Sequence, residues 1–176
     1  MSEAQKIAQL QGIDGLSFRV LAEKVGVKSS SVHYHFPKKE DLLFELSSVY
    51  LKNFKQELNT IASSENNIKQ RLHALVDLFI ATREAKSFCL CGMLAVFSQR
   101  LDEKSKDTTR TFFKELESWV ESQVELNKPI KSLQMNAKDF SKILVSLLEG
   151  ALMIDRLQEN SERLLASKQW VDQFTD

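Results

Sequence analysis

The side chains best suited to chemistry in this sequence lie close together between residues 28 and 39. They are hydroxyl, phenol, imidazole and ammonium groups, carried by Ser29, Ser30, Ser31, His33, Tyr34, His35, Lys38 and Lys39. Such groups donate hydrogen bonds to phosphate oxygens and to the edges of bases. No carboxylate occurs between Glu23 and Glu40, an interval that also contains Lys24 and Lys28. The local positive charge favours contact with DNA, and the alternative is an ordinary solvated helix.

Catalytic and metal-binding patterns are not apparent. His33 and His35 are two residues apart, so on a helix they point in different directions and cannot share a metal ion. His73 lies alone on a charged helix, where a packed or solvated histidine is the simpler interpretation. Neither a G-x-S-x-G elbow, an H-E-x-x-H motif nor a P-loop is present. The sequence therefore predicts a protein that is not an enzyme, with no metal and no cofactor.

Cys89 and Cys91 are the one chemically reactive pair. On a helix, two thiols with this spacing diverge by about 200°, so a disulfide between them requires a non-helical segment. The favoured interpretation is that both cysteines are small, buried hydrophobic side chains. The alternative is a thiol-based redox sensor.

The elements that position the donor groups form two short helices and the start of a third. Ser17 can cap the first helix with its hydroxyl, and Gly26 lies where that helix must end with a positive φ. Val32 and Phe36 are four residues apart, which places them on one buried face of the second helix. Pro37 ends that helix and suits the first turn of the next one. This order predicts a helix-turn-helix, a motif whose second helix enters the major groove.

Residues 12–43, GIDGLSFRVLAEKVGVKSSSVHYHFPKKEDLL, resemble the DNA-binding domain of TetR-family transcriptional repressors. The residues that match the family pattern are Leu21, Ala22, Gly26, Val27, Tyr34, His35, Phe36, Lys39, Leu42 and Leu43. His33 departs from the pattern, since the family usually has tyrosine at this position. The resemblance also implies that the first helix, around residues 2–11, is shortened and lacks the usual basic arm.

DNA contacts follow from the same resemblance. It implies that the residues nearest the bases are Arg19, Ser29, Ser30, Ser31 and Tyr34. It implies that the residues holding phosphates are Ser17, Lys28, His33, His35 and Lys39.

Composition and hydropathy limit the class and the location of the protein. The chain has 176 residues, 43% of them hydrophobic, and a formal net charge of zero. No apolar run approaches the ~20 residues of a membrane span, and no basic-then-apolar leader begins the chain. We therefore expect a cytoplasmic protein that does not contact a membrane.

Beyond Pro37, apolar residues recur at helical spacing and no strand pattern is evident. A long helix is predicted through Ile61, a charged link at 101–107, and a helix stop at Asn127 and Pro129. Asn136 is predicted to cap a helix from 137 to 157, and Ser161 a last helix that ends near Phe174. The predicted fold class is all-α. It comprises a three-helix helix-turn-helix DNA-binding domain at 1–45 and a helical ligand-binding and dimerisation domain at 46–176.

The helix at 137–157 is apolar around almost its whole circumference, so it must be covered on both sides. A second subunit is the predicted cover, because a helix-turn-helix that binds a two-fold site requires a dimer. The family resemblance implies the same arrangement, a four-helix interface formed by this helix and the last helix of each of two chains. The predicted interface residues are Ile143, Leu144, Leu147, Leu148, Ala151, Leu152, Leu164, Leu165 and Trp170.

The family resemblance implies a repressor that binds a palindromic double-stranded DNA operator as a homodimer and is released by a small-molecule effector. The side chains that could line an effector pocket are Phe54, Phe79, Phe88, Met93, Phe97, Phe112, Phe113, Trp119 and Met153. Since no buried charge is obvious, we expect the effector to be neutral or apolar. The alternative function is a helical enzyme or small-molecule binding protein that retains the motif only as packing.

Overall fold

The structure, a computed structural model, describes residues 1–126 and 135–175. These residues form nine α-helices and one 3-10 helix, with no strand among them, which confirms the all-α prediction. The α-helices are α1 (Ser2–Gly15), α2 (Phe18–Val25), α3 (Ser29–His35), α4 (Lys39–Ser64), α5 (Ile68–Glu84), α6 (Leu90–Val96), α7 (Glu103–Leu126), α8 (Ala137–Leu157) and α9 (Glu162–Thr175), and the 3-10 helix is Ser98–Arg100. None of the helices in the described ranges has the length and apolarity needed to cross a membrane.

The chain divides into two compact units, of which the first contains Met1–Asn53 and Ser87–Phe112 and the second Phe54–Lys86 and Phe113–Asp176. These units divide the chain differently from the domains expected at 1–45 and 46–176, because residues 87–112 group with the helix-turn-helix. The units are defined by packing and the domains by function, so the domain boundary near residue 45 stays a prediction.

The first unit packs α1, α2 and α3 around an apolar core. Its most buried side chains include Leu16, Leu42, Leu46, Leu90 and Leu94. α1 extends to Gly15, beyond the predicted end at residue 11, but it is kinked at Gly12, where φ is 71° and ψ is −177°. This backbone conformation is available essentially only to glycine.

Two predicted helix boundaries are wrong, and hydrogen bonds explain both. α4 begins at Lys39 rather than around Pro37, because the Lys38 amide donates to the Asp41 carboxylate at 2.9 Å and so precedes the first turn. The segment 101–107 is not a link, since α7 begins at Glu103. The Asp102 carboxylate accepts from the Ser105 amide at 3.2 Å, as an N-terminal cap does. The predicted stop at Asn127 and Pro129 lies outside the described residues.

In the second unit, α9 packs against α5 and α8. Asn136 caps α8 as predicted, its side chain accepting from the Asp139 amide at 2.8 Å. Phe140 of α8 stacks on Trp170 of α9 with ring centroids 5.1 Å apart. Ser161 is the predicted cap of α9. In the structure, the Asp155 carboxylate of α8 accepts hydrogen bonds from amides at the start of α9.

Candidate nucleic-acid interface

α2 is held at both ends by local hydrogen bonds that the sequence predicted. The Ser17 hydroxyl accepts from the Val20 amide at 3.2 Å, which supplies one of the acceptors that the first turn lacks. Gly26 ends the helix in the left-handed conformation, with φ 73° and ψ 32°. The Val27 amide then donates a hydrogen bond to the Ala22 carbonyl at 2.9 Å. These two caps confine α2 to eight residues and turn the chain directly into α3.

α3 is the candidate reading helix and has few supports of its own. It spans only seven residues, and Lys28 at its N-cap position makes no side-chain capping hydrogen bond. Val32 is its one buried residue, whereas Tyr34 is 85% exposed. Because an isolated helix of two turns is unstable in water, contacts with the rest of the unit must hold α3 in place.

Most of the predicted DNA-contacting side chains lie on the surface. The exposed ones are Arg19, Lys28, Ser30, Ser31, His33, Tyr34 and His35, and the half-buried ones are Ser17, Ser29 and Lys39. Exposed and half-buried hydrogen-bond donors are therefore concentrated on α3 and on the residues that flank it. Whether they contact bases or phosphates stays a prediction.

Two ring contacts organise the aromatic side chains of α3. The His33 and Phe18 rings meet edge to face, with centroids 4.4 Å apart and an interplanar angle of 88°. Tyr34 and His35 form a second edge-to-face pair at 5.4 Å. The sequence did not reveal the role of Phe18, because a contact between residues fifteen positions apart depends on the angle between α2 and α3.

The Lys39 ammonium is already committed to one contact within the protein. It donates to the carbonyl oxygen of Ile13 at 2.5 Å, just beyond the kink of α1. An ammonium has three donors, so a phosphate can still be bound by the other two. Lys39 therefore combines a structural contact with its predicted role at DNA.

An ion pair ties the end of α1 to the 3-10 helix. The Arg100 guanidinium donates to both carboxylate oxygens of Asp14 and lies 5.7 Å from the centroid of the Phe97 ring. The Arg100 hydrogen bond lowers the pKa of Asp14. Desolvation opposes this shift, and the positive charges of Arg100 and, more weakly, Lys39 reinforce it. Asp14 therefore stays ionised at neutral pH and the pair persists.

Both thiols are buried and are not joined by a disulfide. Cys89 precedes α6, and its Sγ accepts from the Gly92 amide at 3.5 Å and from the Tyr50 hydroxyl at 3.7 Å. Cys91 is completely buried. These positions agree with small packed side chains and do not favour the redox-sensor alternative.

The predicted pocket residues occupy three kinds of environment. Phe79 and Phe112 are fully buried core residues, and Met153 is exposed on α8. The partly buried ones are Phe54, Phe88, Met93, Phe97, Phe113 and Trp119. Met93 and Phe97 lie beside Gly12, where a Cβ would be 3.4 Å from the Met93 Cε and 3.5 Å from the Phe97 ring.

Only some of the predicted dimer-interface residues are accessible. Five of them are 0–4% exposed and pack inside the protein's own core: Leu144, Leu148, Ala151, Leu152 and Leu164. Ile143, Leu147 and Leu165 are exposed, and Trp170 is half-buried in its stack with Phe140. The nine-residue interface stays a prediction, and its exposed members are the ones that this unit leaves available to a partner.

Comparison with known proteins agrees with this fold and surface. Residues 1–46 match the family model for bacterial regulatory proteins of the tetR family. The chain is 24% identical over 170 residues to the HTH-type transcriptional regulator LmrA of Bacillus subtilis (strain 168), covering 94% of this chain and 88% of that protein. A TetR transcriptional regulator from Legionella pneumophila has a similar structure, with 25% identity, a TM-score of 0.91, and 99% and 94% of the two chains covered. A TetR-family regulator from Agrobacterium tumefaciens matches at 21% identity with a TM-score of 0.93 over 99% and 95%.

A capped α2, a left-handed turn at Gly26 and an exposed α3 define a helix-turn-helix DNA-binding transcriptional regulator. The match of the first 46 residues and the relatives that span nearly the whole chain indicate the same class of regulator. The chain is similar to TetR-family regulators over nearly its whole length.

Proposed function

We propose that this regulator is a repressor that binds a palindromic operator as a homodimer and leaves it when a small-molecule effector binds. The proposal rests on the hydrogen-bond donors exposed on α3, a short helix that has no side-chain cap. A helix of this kind reads only one half-site, so two copies are needed for a palindrome. The relatives are transcriptional regulators, and we assign no catalytic step to this chain.

In the proposed complex, α3 lies in the major groove. Ser29, Ser30, Ser31 and Tyr34 contact base edges, together with Arg19 from the start of α2. Phosphates are held by Ser17, Lys28, His35 and Lys39. The net charge of the chain is zero, so affinity depends on this local placement of cations rather than on a general attraction to DNA.

The operator test begins with selection of a duplex from a random library by the purified native protein. Affinity for the selected duplex and for a scrambled duplex is then measured over a range of salt concentrations. We expect a two-fold symmetric selected sequence and affinity that falls steeply with salt. Selection of no sequence, or equal affinity for both duplexes, would contradict the proposal.

The proposed dimer surface is the apolar face of α8 that its own unit leaves open. Ile143, Leu147, Ile154 and Leu157 on this face are between 36% and 83% exposed. Together with Gly150 they are spaced alternately by four and three residues, the spacing of a seam between two packed helices. A Cβ at Gly150 would meet nothing within 4 Å, so this point of the seam is open to close approach by another helix. Leu165 of α9 extends the apolar surface.

The dimer test uses charges on this seam. Leu147→Glu and Ile154→Glu should give monomers at micromolar concentration in sedimentation velocity, because each places a carboxylate in an apolar contact. Val96→Glu is the matched control: Val96 is also exposed and apolar, but it lies on α6 outside the seam. Monomeric native protein, or seam variants that remain dimeric, would contradict this interface.

The effector is proposed to be neutral, with one hydrogen-bond acceptor. Partly buried aromatic side chains supply apolar contact, and the Trp119 indole nitrogen is buried without a hydrogen-bond partner among the described residues. A buried donor without an acceptor is costly, so a ligand that supplies the acceptor gains affinity. The fully buried Asp155 does not argue for a cationic effector, because Arg163 and two backbone amides occupy its oxygens.

Trp119 also offers an optical test for the effector. The chain contains two tryptophans, so a Trp170→Phe variant leaves Trp119 as the single indole fluorophore. We expect neutral acceptor-bearing compounds that release the selected duplex to change its fluorescence. A releasing compound that leaves the emission of Trp119 unchanged would place the effector elsewhere.

A further inference from the structure

We infer that His33 is a positioning residue: its ring packs edge to face on Phe18 and fixes the orientation of α3, so His33 acts through Phe18 rather than by holding a phosphate. The inference rests on the proposed reading of an operator by α3. It replaces the phosphate contact that the family pattern suggests for this position.

The contact joins α2 and α3. Phe18 is the first residue of α2, directly after the Ser17 cap, and it packs against the apolar core of the first unit. His33 is exposed on α3, and its ring centroid lies 4.4 Å from that of Phe18 at 88°. Edge-to-face pairs at such distances are attractive beyond their buried area. Phe18 therefore connects a surface residue of α3 to the core.

α3 needs such a contact because its other supports are few. It is seven residues long, lacks a side-chain cap, and buries only Val32. Val32, and Phe36 just beyond the helix end, pack against the core and support one face of α3, which opposes rotation of the helix about its own axis less than a contact on a second face does. His33 follows Val32 by one residue, about 100° around the helix, so a contact there opposes this rotation.

The orientation of α3 about its axis determines which side chains face the bases. Ser30, Ser31 and Tyr34 are exposed on this helix. A small rotation moves all three relative to the groove, whereas cations outside α3 such as Lys39 stay in place. Loss of the ring contact should therefore reduce discrimination between sequences more than it reduces general affinity for DNA.

The test compares two substitutions of His33 on the selected duplex and on a scrambled one. His33→Phe keeps a ring for Phe18 but removes every hydrogen-bond donor, and His33→Ala removes both. We expect His33→Phe to bind the selected duplex as the native protein does. We expect His33→Ala to bind it about threefold to tenfold more weakly, with unchanged binding of the scrambled duplex and an unchanged salt dependence.

If His33 holds a phosphate instead, both variants lose affinity equally on both duplexes, and the inference is overturned. Phe18→Leu, which keeps an apolar side chain without a ring, adds a double-mutant cycle. We expect Phe18→Leu to weaken selective binding, and the added His33→Ala change to have no further effect. Additive losses would also overturn the inference.

A measurement without DNA separates this inference from the proposed function. In urea unfolding of the free protein, the same cycle should show coupling of about threefold or more in the folding equilibrium constant. Absence of coupling would refute the positioning role even if the native protein binds its operator. Coupling together with a native protein that selects no duplex would instead refute the operator proposal.

Discussion

Asp155 of α8 accepts hydrogen bonds from the backbone amides of Arg163, at 3.2 Å, and Leu164, at 2.9 Å, in the first turn of α9. The carboxylate is completely buried, and the Arg163 guanidinium also donates to it at 3.2 Å. A negative charge is favourable at a helix N-terminus, where amides lack partners within the helix. Asp155 therefore caps α9 from a neighbouring helix and fixes how the two helices pack.

Asp155→Ala should lower the free energy of unfolding by about 2–4 kcal/mol, because it removes a cap and leaves buried donors without acceptors. Asp77→Ala is the matched control. Asp77 also pairs with a cation of α9, Lys168, at 2.6 Å, but its side chain is 55% exposed. An exposed pair contributes about 0–1 kcal/mol. Chemical denaturation of both variants tests the difference, and equal losses would show that burial of Asp155 adds nothing.

Gly12→Ala should be more destabilising than Gly26→Ala. Both glycines have a positive φ, but Gly12 combines φ 71° with an extended ψ, whereas Gly26 adopts the left-handed helical conformation that other residues tolerate better. A Cβ at Gly12 also meets Met93 and Phe97, and one at Gly26 meets nothing within 4 Å. We expect a loss of about 2–3 kcal/mol at Gly12 and about 1 kcal/mol at Gly26. Thermal unfolding of both variants tests which one is more destabilised. A larger loss of stability for Gly26→Ala than for Gly12→Ala would contradict this prediction.

Tyr34→Ala and Lys28→Ala should affect DNA binding in different ways. Tyr34 is proposed to contact a base, so its loss should cost ~1–3 kcal/mol on the selected duplex and little on a scrambled one. Lys28 is proposed to hold a phosphate, so its loss should weaken binding to both duplexes and lower the salt slope by about one. Both side chains are exposed, and neither change should disturb the core. Native-like binding by both variants would exclude α3 as the reading helix.

Lys39→Ala should combine two effects, because the Lys39 ammonium also donates to the Ile13 carbonyl. We expect a lower salt slope together with a loss of stability of the free protein, of about 1–2 kcal/mol for a hydrogen bond from a charged group. Lys28→Ala serves as the control that changes the salt slope alone. A Lys39→Ala protein as stable as the native one would show that the contact with Ile13 contributes nothing.

Asp172 should make stability depend on pH in the acid range. Its burial raises the pKa, but hydrogen bonds from Lys69 and His73 lower it further than burial raises it, so the net shift is downward. The contribution to stability is therefore complete above the unfolded-state pKa, about 3.9, and is lost as pH falls through the lower folded-state value. The difference in unfolding free energy between native protein and Asp172→Asn should shrink below about pH 4. A constant difference from pH 7 to pH 3 would contradict this assignment.

Signals that act within a few residues made much of the fold predictable. Ser17, Gly26 and Asn136 end or begin helices through hydrogen bonds to residues close in sequence, and the structure places all three as expected. The prediction of a link at 101–107 was wrong, because charged residues are typical of links and also of exposed helix starts. Asp102 sets the helix start in this segment, because its carboxylate caps α7.

The sequence by itself determined the class of this protein, because a helix-turn-helix is specified by local spacing of apolar, capping and turn residues between Ser17 and Leu43. It also predicted that α8 is apolar around almost its whole circumference. Only the tertiary structure decided which α8 side chains fill the core, such as Leu148, and which stay open, such as Ile154. It likewise decided that Phe18 supports His33 and that Asp155 caps α9. These relationships depend on how whole helices pack, and the order of residues along one helix does not contain that information.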